Sequence, residues 1–263
     1  MPELIFLGVG SIRPTRPGDH TALLLRYGEA HILLDAGPSV LMQLANVGVH
    51  PAEVSHVYFS HQHGDHILGS PILLFYHRRR VYFGALQVLE AWRRLIELVY
   101  PGIPPLLGDE IVLHPLPTDH PHPCPDVPGM TARLALVNHG AVPAFALRLD
   151  LELTPGGRRF GLVYSGDTTP CEAVVELARG ADLLVHEATA LAAHTVELAG
   201  VHTSARAAGE VAQAAGVRHL ALVHRTAGDP EAWRREATEA FRGSILIPQA
   251  GDRLRLPEDL DDG

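Results

Sequence analysis

The segment Tyr58–Gly69, YFSHQHGDHILG, carries His61, His63, Asp65 and His66 within six positions. In an extended chain residues two apart project to the same side, so His61 and His63 can grip one ion. Asp65 and His66 lie just beyond and can reach a second ion from the following turn. Imidazole nitrogens and carboxylate oxygens without thiolates suit zinc, and manganese or iron are also compatible. Two such ions about 3.5–4 Å apart can hold a bridging hydroxide and stabilise the attacking and leaving oxygens of a displacement. The chain has 17 histidines, so the competing reading is a polar turn of satisfied histidines. Four potential ligands in so short a stretch favour a site.

Other candidates share one placement. Apolar runs end on a ligating or proton-moving side chain at His61 (VYFSH), His139 (LALVNH), Asp167 (GLVYSGD), His186 with Glu187 (DLLVHE) and His224 (LALVH). In α/β sheets the ligand site lies beyond the carboxyl ends of the strands, so these five endings are expected to converge. Asp167 is the natural carboxylate bridge between two ions.

The elements that must position them alternate strand and helix. LIFLG opens as a strand, and TALLLRYGEAHILLDAG reads as two strands around a Tyr-Gly-Glu turn. PSVLMQLANVG has Pro early and Gly at its end, the punctuation of a helix, and LQVLEAWRRLIELVY has helical periodicity. From His114 to Pro128 six prolines in 15 residues predict a stiff, surface-exposed loop with no regular element. Its histidines and Cys124 could suggest a second metal site; a flap or connector is the preferred reading. The second half resumes with a hairpin at TPGG (Thr154–Gly157) and further strands and helices. With neither repeat nor linker, residues 1–263 read as one α/β domain.

Composition excludes several classes. No apolar run approaches the length of a membrane span, and MPELIFLGVG lacks the basic and long apolar regions of a signal peptide, so a cytoplasmic protein is expected. Cys124 and Cys171 form no CxxC pair, which argues against a thiolate zinc site. All 21 basic residues are arginine, yet the formal charge is −9, which argues against a globally basic nucleic-acid binder. The sole candidate for a local basic patch, HRRR at His77–Arg80, reads as a solvated helix end.

SHQHGDH resembles the HxHxDH signature of the metallo-β-lactamase-fold hydrolases. LLDAG before it, and YSGDT, HEAT and LVH after it, stand in the order of that superfamily over nearly the whole chain. The spacing is most similar to the tRNase Z-like branch, whose His-Ser-Thr motif corresponds to HTS at His202–Ser204. The resemblance implies a four-layer αβ/βα sandwich of two mixed β-sheets flanked by helices. It implies one ion on His61, His63 and His139, another on Asp65, His66 and His224, and Asp167 bridging. It further implies that Glu187 and His202 protonate a leaving oxygen, that Asp65 belongs to the catalytic set, that Asp35 orients ligand histidines, and that the protein is a homodimer.

Departures from the branch concern substrate. A long tRNA-clamping arm is expected between His139 and Asp167, where this chain has only TPGG. Ala146-Leu147 replaces a Gly-Tyr, Ser70 stands in a Gly-Leu-Pro, and RTAGD after His224 replaces a phosphate-contacting segment. The sequence therefore favours a two-metal phosphodiesterase for small or medium diesters and disfavours tRNA. The alternative is a tRNA 3′-end endonuclease with a substitute clamp from the proline-rich loop or Arg78–Arg80. A redox or non-catalytic metal-binding protein is the reading from a different class.

Overall fold

Strands β1 (Glu3–Gly8), β2 (Ala22–Tyr27), β3 (Ala30–Leu34), β4 (His56–Tyr58), β5 (Arg80–Gly84) and β6 (Ile111–Pro115) form one sheet. Its seventh strand, β14 (Arg253–Arg255), returns from the C-terminus to give the order β14-β1-β2-β3-β4-β5-β6. The second sheet runs β13-β12-β11-β10-β9-β8-β7. It comprises β7 (His122–Pro123), β8 (Met130–Val137), β9 (Ala144–Glu152), β10 (Arg159–Tyr164), β11 (Leu183–Glu187), β12 (His219–Val223) and β13 (Ser244–Leu246). Both sheets are mixed. Pairing is antiparallel from β14 to β3 and parallel from β3 to β6, antiparallel from β7 to β10 and parallel from β10 to β13. The computed structural model describes residues 1–14, 16, 19–76, 79–103, 108–118, 120–198 and 200–261.

Helices α1 (Val40–Asn46), α2 (Gly64–Ile67) and α3 (Leu86–Val99) belong to the first half. The second half contributes α4 (Glu172–Ala178), α5 (Thr195–Leu198), α6 (Ala205–Ala215) and α7 (Pro230–Thr238), followed by α8 (Glu258–Asp261). Strand alternation divides the apolar residues between two cores. Leu183 and Val185 of β11 face the first sheet in the larger core, whereas Leu184 joins Val174, Leu177, Ala208 and Trp233 beneath α4, α6 and α7. Strands covered on both faces carry near-continuous apolar runs, as LLV of β11 and LALV of β12 do here. α3 buries Val88, Leu89, Trp92 and Ile96 at helical spacing. Trp92 stacks on Tyr82 with ring centroids 4.1 Å apart, and its indole N–H donates to Ser70 Oγ at 2.8 Å. Ser70, a departure from the family pattern, thus anchors a helix.

Two expectations are corrected. The His114–Pro128 segment holds regular structure, because β6 ends at Pro115 and His122–Pro123 pairs with β8 as an edge strand, where proline is tolerated. Leu116, Cys124 and Val127 in it are buried. Nor is the arginine run a solvated helix end. Arg80 begins β5 fully buried, and its guanidinium donates to the carbonyls of Pro51, Val54 and Leu73. Arg79 is exposed and paired with Asp126 at 2.7 Å; His77 and Arg78 lie outside the described residues.

Candidate metal centre and catalytic cleft

The carboxyl ends of β3, β4, β8, β10, β11 and β12 supply the site. After β4 the chain bends at Ser60 and passes through His61 to His63, which is extended and is the N-cap of the one-turn helix α2 carrying Asp65 and His66. Extended backbone followed by a helical turn therefore aims successive side chains at two neighbouring points. His139 follows β8, Asp167 follows β10, Glu187 ends β11 and His224 follows β12. His224 and Asp35 both adopt left-handed φ values, +56° and +59°, an uncommon conformation for residues with a Cβ. Both are held there by hydrogen bonds made by their side chains.

The donor atoms form four overlapping groups, of which two hold the ligands expected from the sequence; His202 also lies in one group with His139 and Asp167 and in another with Glu187 and His224. One nitrogen each of His61, His63 and His139 lie within 4.8 Å of one another, as do single donor atoms of Asp65, His66, Asp167 and His224. Asp167 Oδ2 lies between them, 3.8 Å from His61 Nε2, 3.8 Å from His139 Nε2, 3.3 Å from His66 Nε2 and 3.2 Å from His224 Nε2. Buried polar atoms are ordinarily paired. Yet Nε2 of His61, Nε2 of His66 and Oδ1 of Asp167 are buried without a hydrogen-bond partner. Unpaired donors converging with two carboxylates fit a divalent cation, so the residues present suit the group that this fold implies.

Four of the inward nitrogens are selected by what holds the other side of their rings. His66 Nδ1 lies 2.7 Å from Asp35 Oδ2, His61 Nδ1 lies 3.0 Å from Ser60 Oγ, and His224 Nδ1 lies 2.9 Å from Thr189 Oγ1. His139 Nδ1 donates to the Val201 carbonyl at 2.9 Å. Asp35 also accepts from the Ser60 N–H and hydroxyl and from Tyr164 OH, each at 2.7 Å.

Electrostatics keep the acids ready. Burial opposes ionisation of Asp167, but the charges of His224 and His66 outweigh it and hold its pKa well below the usual carboxylate range. Asp65 is likewise lowered, against burial, by its hydrogen bond with His224 and by the charge of His66. Burial together with neighbouring His66 drives the His61 imidazole well below the ordinary histidine value. At His66 burial is overcome by Asp167 and Asp35, which raise it.

Glu187 and His202 stand beside these sets. Glu187 is buried, and its carboxylate accepts from the backbone N–H groups of Thr168, Thr189 and Thr203, from Thr189 Oγ1, and from His202 Nδ1 at 2.9 Å. Burial disfavours the protonated His202 ring, but the hydrogen bond and charge of Glu187 together raise its pKa. Glu187 therefore orients the His202 ring and favours its protonated form. Strand alternation sends His186, one residue earlier, to the opposite face of β11, away from the cluster. A cleft of about 490 Å³ opens over the site, lined by His63, Asp65, Asp167, His202 and His224 and edged by Ser11–Arg13 and Val196.

The pattern matches the β-lactamase superfamily domain over residues 30–225. Ribonuclease Z of Streptomyces avermitilis is 32% identical over 300 aligned positions, covering 97% of each chain. The chain belongs to the ribonuclease Z family. Ribonuclease Z of Methanothermobacter thermautotrophicus is 30% identical, covering 85% of this chain and 86% of its own. Among solved structures, the metallo-β-lactamase fold protein YhfI from Bacillus subtilis superposes with a TM-score of 0.78 at 23% identity, over 96% of this chain and 98% of that one. Human tRNase Z, short form, gives 0.72 at 20% identity, over 97% and 99%. The two-sheet sandwich is thus the metallo-β-lactamase fold, and the chain is a metal-dependent hydrolase of this family.

Of the residues expected from the sequence, His61, His63, Asp65, His66, His139, Asp167, Glu187, His202 and His224 meet at this one end, with Asp35 behind them, whereas His186 does not join them. Sequence reasoning missed Ser60, Tyr164 and Thr189, which lock the rings and Asp35. Their signal was adjacency, since each lies within three residues of a residue already singled out. It also missed the cleft edge at Ser11–Arg13 and Val196, which no motif marks.

Proposed function

We propose that the chain cleaves phosphodiester bonds in RNA, releasing the 3′ trailer of precursor tRNA. The observation that carries this reading is the Glu187–His202 pair placed against a two-set donor cluster at the floor of an open cleft. His61, His63 and His139 would hold one divalent ion, most suitably zinc, and Asp65, His66 and His224 the other, with Asp167 between. When bound, such ions activate water and polarise the phosphoryl oxygens.

The protein's own groups do the rest. Asp35 fixes the His66 ring, and Thr189 fixes His224, so the inward nitrogens are presented without reorganisation. Glu187, held by donors from three backbone positions, keeps a proton on His202 Nδ1 and leaves Nε2 as the nitrogen facing the cleft. A protonated His202 then hands its Nε2 proton to the departing oxygen, and Glu187 stabilises the charged ring beforehand. The names of the family relatives, ribonuclease Z and tRNase Z, support RNA as the substrate class.

Incubation of metal-loaded protein with a 3′-extended precursor tRNA tests this directly. A single cut that removes the trailer is expected. The short hairpin supports a second reading, hydrolysis of smaller diesters. β9 and β10 are joined by residues 153–158 alone, and the 300 aligned positions exceed the 263 residues of this chain, so the relative carries residues absent here. Turnover of bis(p-nitrophenyl) phosphate with precursor tRNA left intact would select that second reading.

A further inference from the structure

We infer that Glu236 of α7 is a positioning residue for the reaction: its carboxylate clasps the two ends of the segment that carries His202 and so holds that ring at the donor cluster. This rests on the reading of His202 as the proton donor and names what keeps the donor in place.

The segment leaves β11 and returns to α6 as a closed loop. Its ends cross at a neck, where Ala190 bridges to Ser204. There the Thr189 N–H donates to the Thr203 carbonyl at 3.1 Å, and the Ala205 N–H donates to the Ala190 carbonyl at 3.1 Å. His202 stands immediately before Thr203, so its ring moves with the crossing. Glu187 grips this neck through the N–H groups of Thr189 and Thr203.

Glu236 grips the same neck from a different element. Its Oε1 and Oε2 accept from the Ala192 N–H at 2.9 and 3.1 Å, and Oε2 also accepts from the Arg206 N–H at 3.2 Å. Ala192 lies on the outgoing end of the loop and Arg206 on the returning end, so one carboxylate closes the crossing. Arg206 is in the first turn of α6, where N–H groups lack partners within the helix and a negative charge is favoured. The helix that carries Glu236 is itself fixed. Gly209 of α6 lies so close to α7 that a Cβ there would stand 2.7 Å from the Ala237 carbonyl. Trp233, three residues before Glu236 and on the same helix face, donates its indole N–H to the Ala188 carbonyl at 2.7 Å. Among the described residues Glu236 belongs to no group of metal-suited donors and does not line the cleft. Its effect on the rate therefore runs through the segment it holds.

The test compares wild type with Glu236→Ala, Glu236→Gln, Glu239→Gln and His202→Ala on bis(p-nitrophenyl) phosphate and on diphenyl phosphate. Diphenyl phosphate releases the more basic phenolate and depends more on a proton from the protein. Glu236→Ala is expected to lower kcat on diphenyl phosphate about tenfold or more, as displacement of a reacting group by about an ångström does. The loss on bis(p-nitrophenyl) phosphate should be smaller, with KM and bound metal unchanged. Amide hydrogen exchange at Ala192 and Arg206, read by mass spectrometry, should speed up as the neck opens. Glu236→Gln keeps one acceptor oxygen and should recover part of both kcat and protection. Glu239→Gln alters a neighbouring carboxylate that pairs with the Arg206 guanidinium, and should match wild type.

The clasp is overturned if Glu236→Ala keeps wild-type kcat on diphenyl phosphate, loses bound metal, or leaves exchange at Ala192 and Arg206 unchanged. Should Glu236→Ala not fold, Glu236→Gln is judged by the same readings. Equal losses on the two diesters in His202→Ala would overturn the proton-donor reading. A split between the diesters in His202→Ala with none in Glu236→Ala would overturn the clasp alone.

Discussion

His61, His63 and His66 on one side, and His114, His120 and His122 on the other, are two sets of closely spaced histidines in one chain, and they differ in what stands behind each ring. At the first set, Ser60 and Asp35 hold the outer nitrogens of His61 and His66, and His139, Asp167 and His224 arrive from three other strand ends. At the second, the rings lie near one another, with centroids 5.9 Å apart for His114–His122 and 6.2 Å for His120–His122. They stand on or between edge strands of the two sheets, and Asp126 in the same segment is taken by Arg79. Among the described residues none of these three belongs to a group of metal-suited donors. Density of histidine is common to both regions; among the described residues, convergence of strand ends into groups of metal-suited donors belongs to the first alone.

The contrast breaks most visibly at Asp167, the carboxylate proposed above to stand between the two ions. Asp167→Ala is expected to lower turnover of bis(p-nitrophenyl) phosphate by well over about 100-fold, since even the partners of metal ligands are worth 10–100-fold. Bound metal by elemental analysis should fall with it, while His122→Ala should retain both. Equal metal loss in the two variants would remove the distinction between the regions. His202→Ala comes next, with kcat reduced about 100-fold as for a lost general acid. Its metal content should stay at the wild-type level, because His202 supplies a proton and not a ligand in this scheme. Loss of metal from His202→Ala would instead move His202 into the donor set.

Asp35→Asn sharpens the same contrast from behind the ring. Asparagine tolerates the left-handed backbone at this position, so the fold should persist by circular dichroism. The negative charge facing His66 is lost, and metal affinity in a competitive chelator titration should fall about 10-fold or more. Unchanged affinity would mean that Asp35 serves the packing of Ser60 and Tyr164 and not the site.

Much of this was legible from strand endings. A run such as VYFSH or LALVH states both a buried strand and the residue that emerges at its carboxyl end, and parallel neighbours β10, β11 and β12 bring such endings together without further information. His202 was readable through the family motif and not through its spacing, since it depends on Glu187 reaching it from another strand. The proline-rich segment was misread because turn chemistry was weighed without the free edge of β8, which accepts His122–Pro123 despite its proline. Arg80 was misread because a charged run ordinarily marks a solvated surface. Three carbonyls that converge from the turns around Pro51, Val54 and Leu73 make it a core residue instead, and only tertiary structure brings them together.

That buried cation gives a stability test away from the chemistry. Arg80→Leu removes three buried hydrogen bonds from a charged donor and is expected to cost about 3 kcal/mol, read as a lower urea midpoint. A midpoint equal to that of wild type would mean that water replaces the guanidinium at the carbonyls.

The smallest expected effect bears on whether the second histidine region is a fixed connector. Cys124 lies within it, 3% exposed, and burial with the nearby Asp126 charge pushes its thiol up to about 12. The thiolate is the reactive form, so at pH 8 almost none of Cys124 is reactive while the segment stays packed against β8. Cys171, half-buried before α4, is the comparison thiol within the same molecule. Iodoacetamide followed by peptide mass mapping should therefore label Cys171 well ahead of Cys124 in native protein and both alike in denaturant. Equal native labelling would show that the 114–128 segment leaves the sheet edge in solution. Its histidines would then be free to rearrange, and the contrast between the two regions would be one of mobility and not of architecture.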